Sequence, residues 1–182
     1  MDSLIDLERE NAVLRAYVAE LEERLKLLER LADSDTLTPL PNRRFFMRAV
    51  ERAVAQRARH GTPAALLFLD VDRLKEINDA NGHSVGDEAL VHTAWVLREK
   101  VRTGDVVARI GGDEFGVLLD YTDEAAAAEK AAALCAAIAE RPLHGRIGIS
   151  CSIGIAALQP DDTPEAALAR ADAAMYKSKR RG

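Results

Sequence analysis

Residues 106–120 read VVARI-GG-DEFGVLLD. Two apolar runs with strand-like residues, Val106–Ile110 and Phe115–Leu119, are joined through Gly111-Gly112. A Gly-Gly pair between such runs predicts a two-residue β-hairpin, in which both central residues take positive φ. Asp113 and Glu114 follow the turn at once. Glycine lets a ligand approach the backbone closely, and acids beside such a gap are placed to hold a hard cation. An ordinary hairpin with a charged tip fits this stretch equally well when it is taken alone. A second acidic cluster upstream, Asp70 and Asp72, tips the balance toward a site.

The chain has 182 residues, 48% hydrophobic and 30% charged, with a net charge of −5. That is enough apolar material for a core, and somewhat more than one average domain. With no polybasic field, binding to a nucleic-acid polymer by counterion release is excluded. Only two cysteines occur, Cys135 and Cys151, far apart in sequence and without Cys-x-x-Cys spacing, so they read as buried free thiols in a reducing compartment. No signal peptide and no run of eighteen apolar residues is visible, which points to a cytoplasmic protein with no membrane partner.

The N-terminal arm carries Leu4, Leu7, Leu14, Val18, Leu21, Leu25 and Leu28. With Asn11 included, the steps alternate three and four: a heptad repeat with a at 4, 11, 18 and 25 and d at 7, 14, 21 and 28. Leucine at every d, β-branched Val18 at a, and Asn11 at a favour two parallel strands in one register. Glu10 with Arg15, and Arg24 with Glu29, would attract between chains. A single amphipathic helix on its own domain would need a wider apolar stripe. Residues 1–32 are therefore expected to form a parallel dimeric coiled coil, a rod of roughly 45 Å.

Beyond the arm, Thr38-Pro39-Leu40-Pro41 breaks helix, and a helix is expected from Pro41-Asn42 to about His60, stopped by Gly61. Ala64–Val71 is a buried strand ending at Asp70-Val71-Asp72, with both aspartates on one face. Helices over Arg73–Asn81 and Val85–Lys100, then the hairpin, follow. Thr122 is read as the cap of an alanine-rich helix to Glu140, Ile147–Ala157 as a strand, and Thr163-Pro164 as the start of a helix to Lys179. This split-βαβ order predicts an α/β (α+β) sandwich on a mainly antiparallel, ferredoxin-like or palm-type sheet flanked by helices. In such a sheet the first strand's end lies beside the hairpin turn, so Asp70 and Asp72 would face Asp113 and Glu114. Converging carboxylates are costly unless cations neutralise them, and the pattern suggests metal-assisted phosphoryl chemistry, with two ions as one arrangement. A structural ion-pair network is the alternative, but nearby lysines and arginines are too few to balance four acids.

Over almost all of residues 33–182 the chain resembles the GGDEF family of diguanylate cyclases. The resemblance is carried by Asp35-Thr36-Leu37-Thr38…Asn42-Arg43, Asp70-Val71-Asp72…Lys75…Asn78-Asp79, Gly82-His83…Gly86-Asp87, Gly111-Gly112-Asp113-Glu114-Phe115, Ser152-Ile153-Gly154-Ile155-Ala156 and Ala171-Asp172…Met175-Tyr176…Lys179. It implies condensation of two GTP into cyclic di-GMP and two pyrophosphates by a homodimer. Asp70, the Val71 carbonyl and Glu114 would hold two Mg²⁺ per half-site, with Mn²⁺ as a substitute. Asp113 would be the general base for the 3′-hydroxyl or a further metal ligand, and the split of roles between Asp113 and Glu114 stays open. Asn78 and Asp87 would read the guanine edge. Amides near Arg73 and Leu74, with Lys75 and Lys179, would meet the phosphates beside the Gly111-Gly112 turn. His83 would be either a ligand residue or a hydrogen bond joining two helices. Arg102 and Asp105 stand where the family keeps its Arg-x-x-Asp site for cyclic di-GMP as an inhibitor. Three departures stand out. Pro39 replaces a glycine, and Leu74 stands where phenylalanine is common. The chain ends at Gly182, where the family usually continues with Arg-Asn and a last strand, so a phosphate-binding arginine would be missing unless Arg180 or Arg181 stands in. A catalytically weak domain that binds GTP or cyclic di-GMP for signalling is the alternative function.

Overall fold

The computed structural model describes residues 2–180. Internal contacts divide the chain between Ser34 and Asp35 into two units. The first is one continuous helix, α1 (Asp2–Asp33). The side chains of Leu4 and Leu7 lie outside the described residues. Leu14, Val18, Leu21, Leu25 and Leu28 are all exposed, at 45–61% of their surface. Five large apolar side chains on one heptad seam, bare on a lone helix, lack the burial that gives most protein helices their stability. Arg24 bonds Glu20 of its own helix at 2.5 Å. No helix is long and apolar enough to cross a membrane among the described residues.

The second unit contains α2 (Arg43–His60), β1 (Ala64–Val71), α3 (Leu74–Asn81), α4 (His83–Lys100), β2 (Val106–Arg109), β3 (Glu114–Asp120), α5 (Glu124–Ala139), β4 (Cys151–Ala157) and α6 (Pro164–Lys179). The four strands form one sheet in the order β2-β3-β1-β4, every pair antiparallel. This is the ferredoxin-like arrangement that the alternation of strands and helices predicts.

Every residue of β1 is buried, because helices cover both faces of the sheet. Alternation sorts its side chains: Leu67, Leu69 and Val71 pack with Leu90, Leu97, Leu134 and Ile138 of α4 and α5. Leu66 and Phe68 pack with Phe46 and Val50 of α2 and with Leu168 and Met175 of α6. Asp70 shares the parity of the second face, yet it is a carboxylate only 8% exposed.

Several boundaries differ from the sequence reading, each for a local reason. The hairpin is not a two-residue turn. β2 ends at Arg109 and β3 begins at Glu114, leaving four residues, Ile110–Asp113, between them. Neither Gly111 nor Gly112 has positive φ. The wider loop is braced from inside, where the Arg109 guanidinium donates to the Gly112 carbonyl at 2.7 and 3.2 Å. Thr122 does not cap α5, since its hydroxyl donates to Asp120 O at 2.8 Å, and Asp123 accepts from Ala126 N instead. β4 starts at Cys151 rather than Ile147, because its partner β1 ends at Val71, the residue opposite Cys151. The helix expected from Arg73 begins at Leu74, after Arg73 has turned the chain at φ 54°. The next begins at His83, two residues before Val85.

α6 packs against β4 backbone to backbone. A Cβ on Gly154 would lie 2.0 Å from Ala171 O and 2.1 Å from Met175 N, so the helix backbone rests directly on the strand backbone. Nothing there is a flexible side-chain end that could move aside. Gly154→Ala must displace α6, and we expect an overpacking penalty of about 2–3 kcal/mol. Denaturant melts of the two proteins check this; an unchanged midpoint would contradict the close contact.

Candidate active site

Asp70, on the last full turn of pleat in β1, is in register with Glu114 of β3 on one side and Ser152 of β4 on the other. The ladder continues one step further, with Val71 N donating to Asp113 O at 3.0 Å and Asp72 N to Ser150 O at 2.9 Å. Two chain segments, the end of β1 and the loop leading into β3, therefore deliver Asp70, Asp72, Asp113 and Glu114 to one end of the sheet, with Asp70 and Asp72 on one face as the alternation of β1 requires.

The loop geometry serves Glu114. Ile110 N and Gly111 N both donate to Glu114 O, at 2.9 and 3.3 Å. The Glu114 carboxylate folds back over the loop so closely that a Cβ on Gly111 would sit 2.1 Å from its Oε2. Glycine is needed here for proximity, not for a left-handed turn. The loop is anchored from below by Arg109, which pairs with Asp35 at 3.3 Å with both side chains about 15% exposed or less. Burial would raise Asp35, but the Thr38 hydroxyl and amide, together with Arg109, hold its carboxyl below the usual range. Arg43 donates to Ile110 O at 3.4 Å.

Electrostatics mark the cluster as strained in charge. Burial pushes the Asp70 carboxyl up, against the pull of a 2.6 Å bond from Lys179 Nζ, and the charges of Asp113 and Asp72 push it further. Burial also raises Glu114, followed by repulsion from Asp113, Asp172 and Asp70; Arg43 opposes. Lys179 is raised in turn, chiefly by its bond to Asp70. Carboxylates held this way favour any added cation. Among the described residues no three His, Cys, Asp or Glu side chains form a ready-made metal cage. The donor set nevertheless fits magnesium, which is held by one or two carboxylates and keeps its other positions for phosphate oxygens and water.

The remaining expected residues flank this cluster. Arg73 turns β1 into α3 in a left-handed conformation, directly after Asp72. Lys75 is exposed on the first turn of α3, and Leu74 packs on the core. A cavity of about 500 Å³ is lined by Asp72, Arg73, Ser150, Ser152, Ser178 and Lys179. On the α3–α4 side, the Asn78 amide oxygen fills the place that a Cβ on Gly86 would take, next to exposed Asp87. His83 is exposed at the start of α4. Arg180 follows the last residue of α6, and Arg181 lies outside the described residues.

Sequence reasoning missed Ser150 and Ser152 as site residues. Their hydroxyls donate to Asp72 at 2.9 and 2.7 Å, fixing the turn that carries Arg73. The available signal was the alternation Ser-Cys-Ser at 150–152, with both hydroxyls on one face. Asp172 was also missed as a charge acting on Glu114.

Arg102 and Asp105 are not part of this cluster. Asp105 accepts from Arg102 N at 3.0 Å and from Asp120 N at 3.3 Å. Asp120 is at the opposite end of β3 from Glu114, roughly 20 Å along the strand at ~3.3 Å per residue. Exposed Arg102 and half-buried Asp105 line a separate cavity of about 640 Å³ with Pro39, Pro41, Phe45, Arg98 and Val106.

Comparison with known proteins agrees with this geometry. A family model described as "Diguanylate cyclase, GGDEF domain" matches residues 32–182. The diguanylate cyclase TpbB of Pseudomonas aeruginosa is 42% identical over 173 residues, covering 92% of this chain and 40% of TpbB. Diguanylate cyclase DgcP of the same species is 40% identical over 182 residues, covering 97% of this chain and 26% of DgcP. The chain thus spans less than half the length of either relative. The crystal structure of the coiled coil and GGDEF domain of DgcB from Caulobacter crescentus, in complex with c-di-GMP, superimposes with a TM-score of 0.86 at 32% identity, covering 97% of this chain and 95% of that one. The acids at the end of β1, the glycine loop that folds Glu114 back on itself, and a family match over four-fifths of the chain lead to one conclusion: this chain belongs to the GGDEF family of diguanylate cyclase domains.

Proposed function

We propose that the chain condenses two molecules of GTP into cyclic di-GMP and two pyrophosphates, as a homodimer in which each globular unit holds one nucleotide. The reading places it in the cytoplasm, where GTP is supplied. The observation that carries it is the cross-strand pair of buried Asp70 and half-buried Glu114, two carboxylates made reluctant to ionise by burial and by Asp113. An acid pair of that kind wants a divalent cation, and a triphosphate brings one.

In this reading Asp70, Glu114 and the Val71 carbonyl hold Mg²⁺, with Mn²⁺ as a substitute. The bound ions would neutralise the triphosphate and stabilise charge developing on the α-phosphate and on the pyrophosphate that leaves it. The chain's own groups do the rest. Amides at Arg73 and Leu74, with Lys75 and Lys179, hold the phosphates, Lys179 leaving Asp70 to do so. Asn78 and Asp87 pair with the guanine edge, an amide offering a donor to O6 and a carboxylate accepting from N1–H and the 2-amino group. The 3′-hydroxyl of one nucleotide attacks the α-phosphate of the other, its proton accepted by Asp113 or Glu114. The new phosphodiester forms as pyrophosphate departs, and repetition in the opposite sense closes the ring.

Residues 1–32 supply the dimer and residues 33–182 the catalytic domain. The exposed leucine seam of α1 supports this, since it is left uncovered on a single chain. Tethering raises the effective concentration of one half-site near the other. Arg102 and Asp105, with the cavity beside them, suit cyclic di-GMP as a feedback inhibitor: the free guanidinium can fork onto guanine O6 and N7 or onto phosphate. DgcB has been crystallised with c-di-GMP, which supports affinity for the product in this family.

Incubation with GTP and magnesium followed by chromatography tests the reading directly. We expect cyclic di-GMP from the unaltered chain, and at least about 10²-fold less from Asp70→Asn or Glu114→Gln. GTP binding without product would favour the signalling-module alternative instead. For the dimer, Leu14→Pro with Leu21→Pro breaks α1 at about 3 kcal/mol per proline. Product formation per protomer should then collapse at low protein concentration while GTP binding survives. A specific activity unchanged on dilution would contradict the tether.

A further inference from the structure

The two cysteines, 16 residues apart in sequence, meet in the fold. Cys135 lies on the inner side of α5 and Cys151 opens β4, and their sulfurs are 3.4 Å apart. Cys135 Sγ also lies 3.5 Å from Cys151 O. Both thiols are free, and both are part-exposed rather than sealed in the core. On the opposite face of β4, its neighbours Ser150 and Ser152 hold Asp72, while Cys151 itself is opposite Val71 in the ladder. Any movement of Cys151 toward α5 is therefore transmitted to the residues that seat Asp72 and the Arg73 turn.

We propose that Cys135 and Cys151 are a redox modification site: a peroxide converts them to a reversible intramolecular disulfide that displaces the phosphate side of the nucleotide site. In the first step one thiolate attacks a peroxide oxygen, the O–O bond breaks, and the hydroxide released takes up a proton to leave as water, giving a sulfenic acid. In the second step the other thiol's sulfur attacks that sulfur and the S–O bond breaks. The departing hydroxide takes the second thiol's proton and leaves as a second water. Two electrons pass from the sulfurs to the peroxide, and a dithiol reductant reverses the change by exchange. The sulfurs are already in van der Waals contact, so side-chain rotation with a small shift of the β4 start completes the bond. The effect on nucleotide binding rests on the function proposed above, whereas the disulfide does not.

The test treats the full 182-residue chain with excess hydrogen peroxide and maps its peptides without reduction. We expect a monomer lighter by two hydrogens, with the Cys135 and Cys151 peptides joined, reverting on dithiothreitol. Cys135→Ser should form no such link. Calorimetry with magnesium and 3′-deoxy-GTP, which lacks the attacking hydroxyl, reads the second half. Oxidation should weaken binding about tenfold, in line with a sub-ångström displacement of phosphate contacts, and should leave treated Cys135→Ser unchanged. Thiols that stay free, or that end as separate sulfinic acids or as links between copies, would overturn the pair. A disulfide with unaltered nucleotide affinity would overturn the coupling. A reduced protein that binds no 3′-deoxy-GTP would overturn the nucleotide reading and the coupling with it, while the cross-link mass decides the thiol pair by itself.

Discussion

Everything at the active end of this fold depends on one placement: a carboxylate at the close of a strand that is buried along its entire length. β1 is one of the two inner strands of the sheet and is buried throughout, and a strand so situated should carry only apolar side chains. Asp70 breaks that rule, and its register partner Glu114 repeats the breach on β3. With Asp113 and Asp72 adding to the negative field, the chain answers with Lys179, drawn to Asp70 from the last residue of α6. A lysine with 42% of its side chain in solvent is a weak and removable counter-charge. The site is poised between an internal ion pair and an incoming cation. That balance suits chemistry that begins when a metal-bound triphosphate arrives.

The scaffold around the acids is organised to hold them in spite of this repulsion. Backbone bonds from Val71 to Asp113 and from Asp72 to Ser150 carry the sheet past its formal ends. Arg109 grips the loop through the Gly112 carbonyl and is itself anchored on Asp35, whose carboxyl is kept ionised by Thr38 and Arg109. β3 then joins two ends of different character. Glu114 stands at the acidic end, and Asp120 meets Asp105 and the Arg102 turn at the other.

Much of this was legible in the sequence because it is written in local patterns. The buried strand Ala64–Val71 with Asp70 near its end, the helix start at Asn42, the cap at Thr163 and the stop at Gly61 each follow from short-range chemistry, and the structure places them as read. The alternation of strands and helices was enough to bring Asp70 beside Glu114. The failures were of two kinds. Gly111-Gly112 reads as a tight turn because glycine's usual role is positive φ. Here its role is to make room for the Glu114 carboxylate, and that contact exists only once the loop is folded. Likewise Ser150, Ser152 and the contact between Cys135 and Cys151 depend on which residue of β4 lies opposite which residue of β1, a register no single-chain pattern reveals. Side chains on adjacent elements found each other through tertiary packing alone.

The central claim is that Asp70 and Glu114 bind the same ions, most tightly when a nucleotide supplies the remaining ligands. Manganese titration followed by electron paramagnetic resonance, with and without 3′-deoxy-GTP, measures it most directly. The account predicts manganese binding by the unaltered chain that tightens when the nucleotide is added, and its loss in both Asp70→Asn and Glu114→Gln. Manganese binding that survives intact in either variant would contradict it.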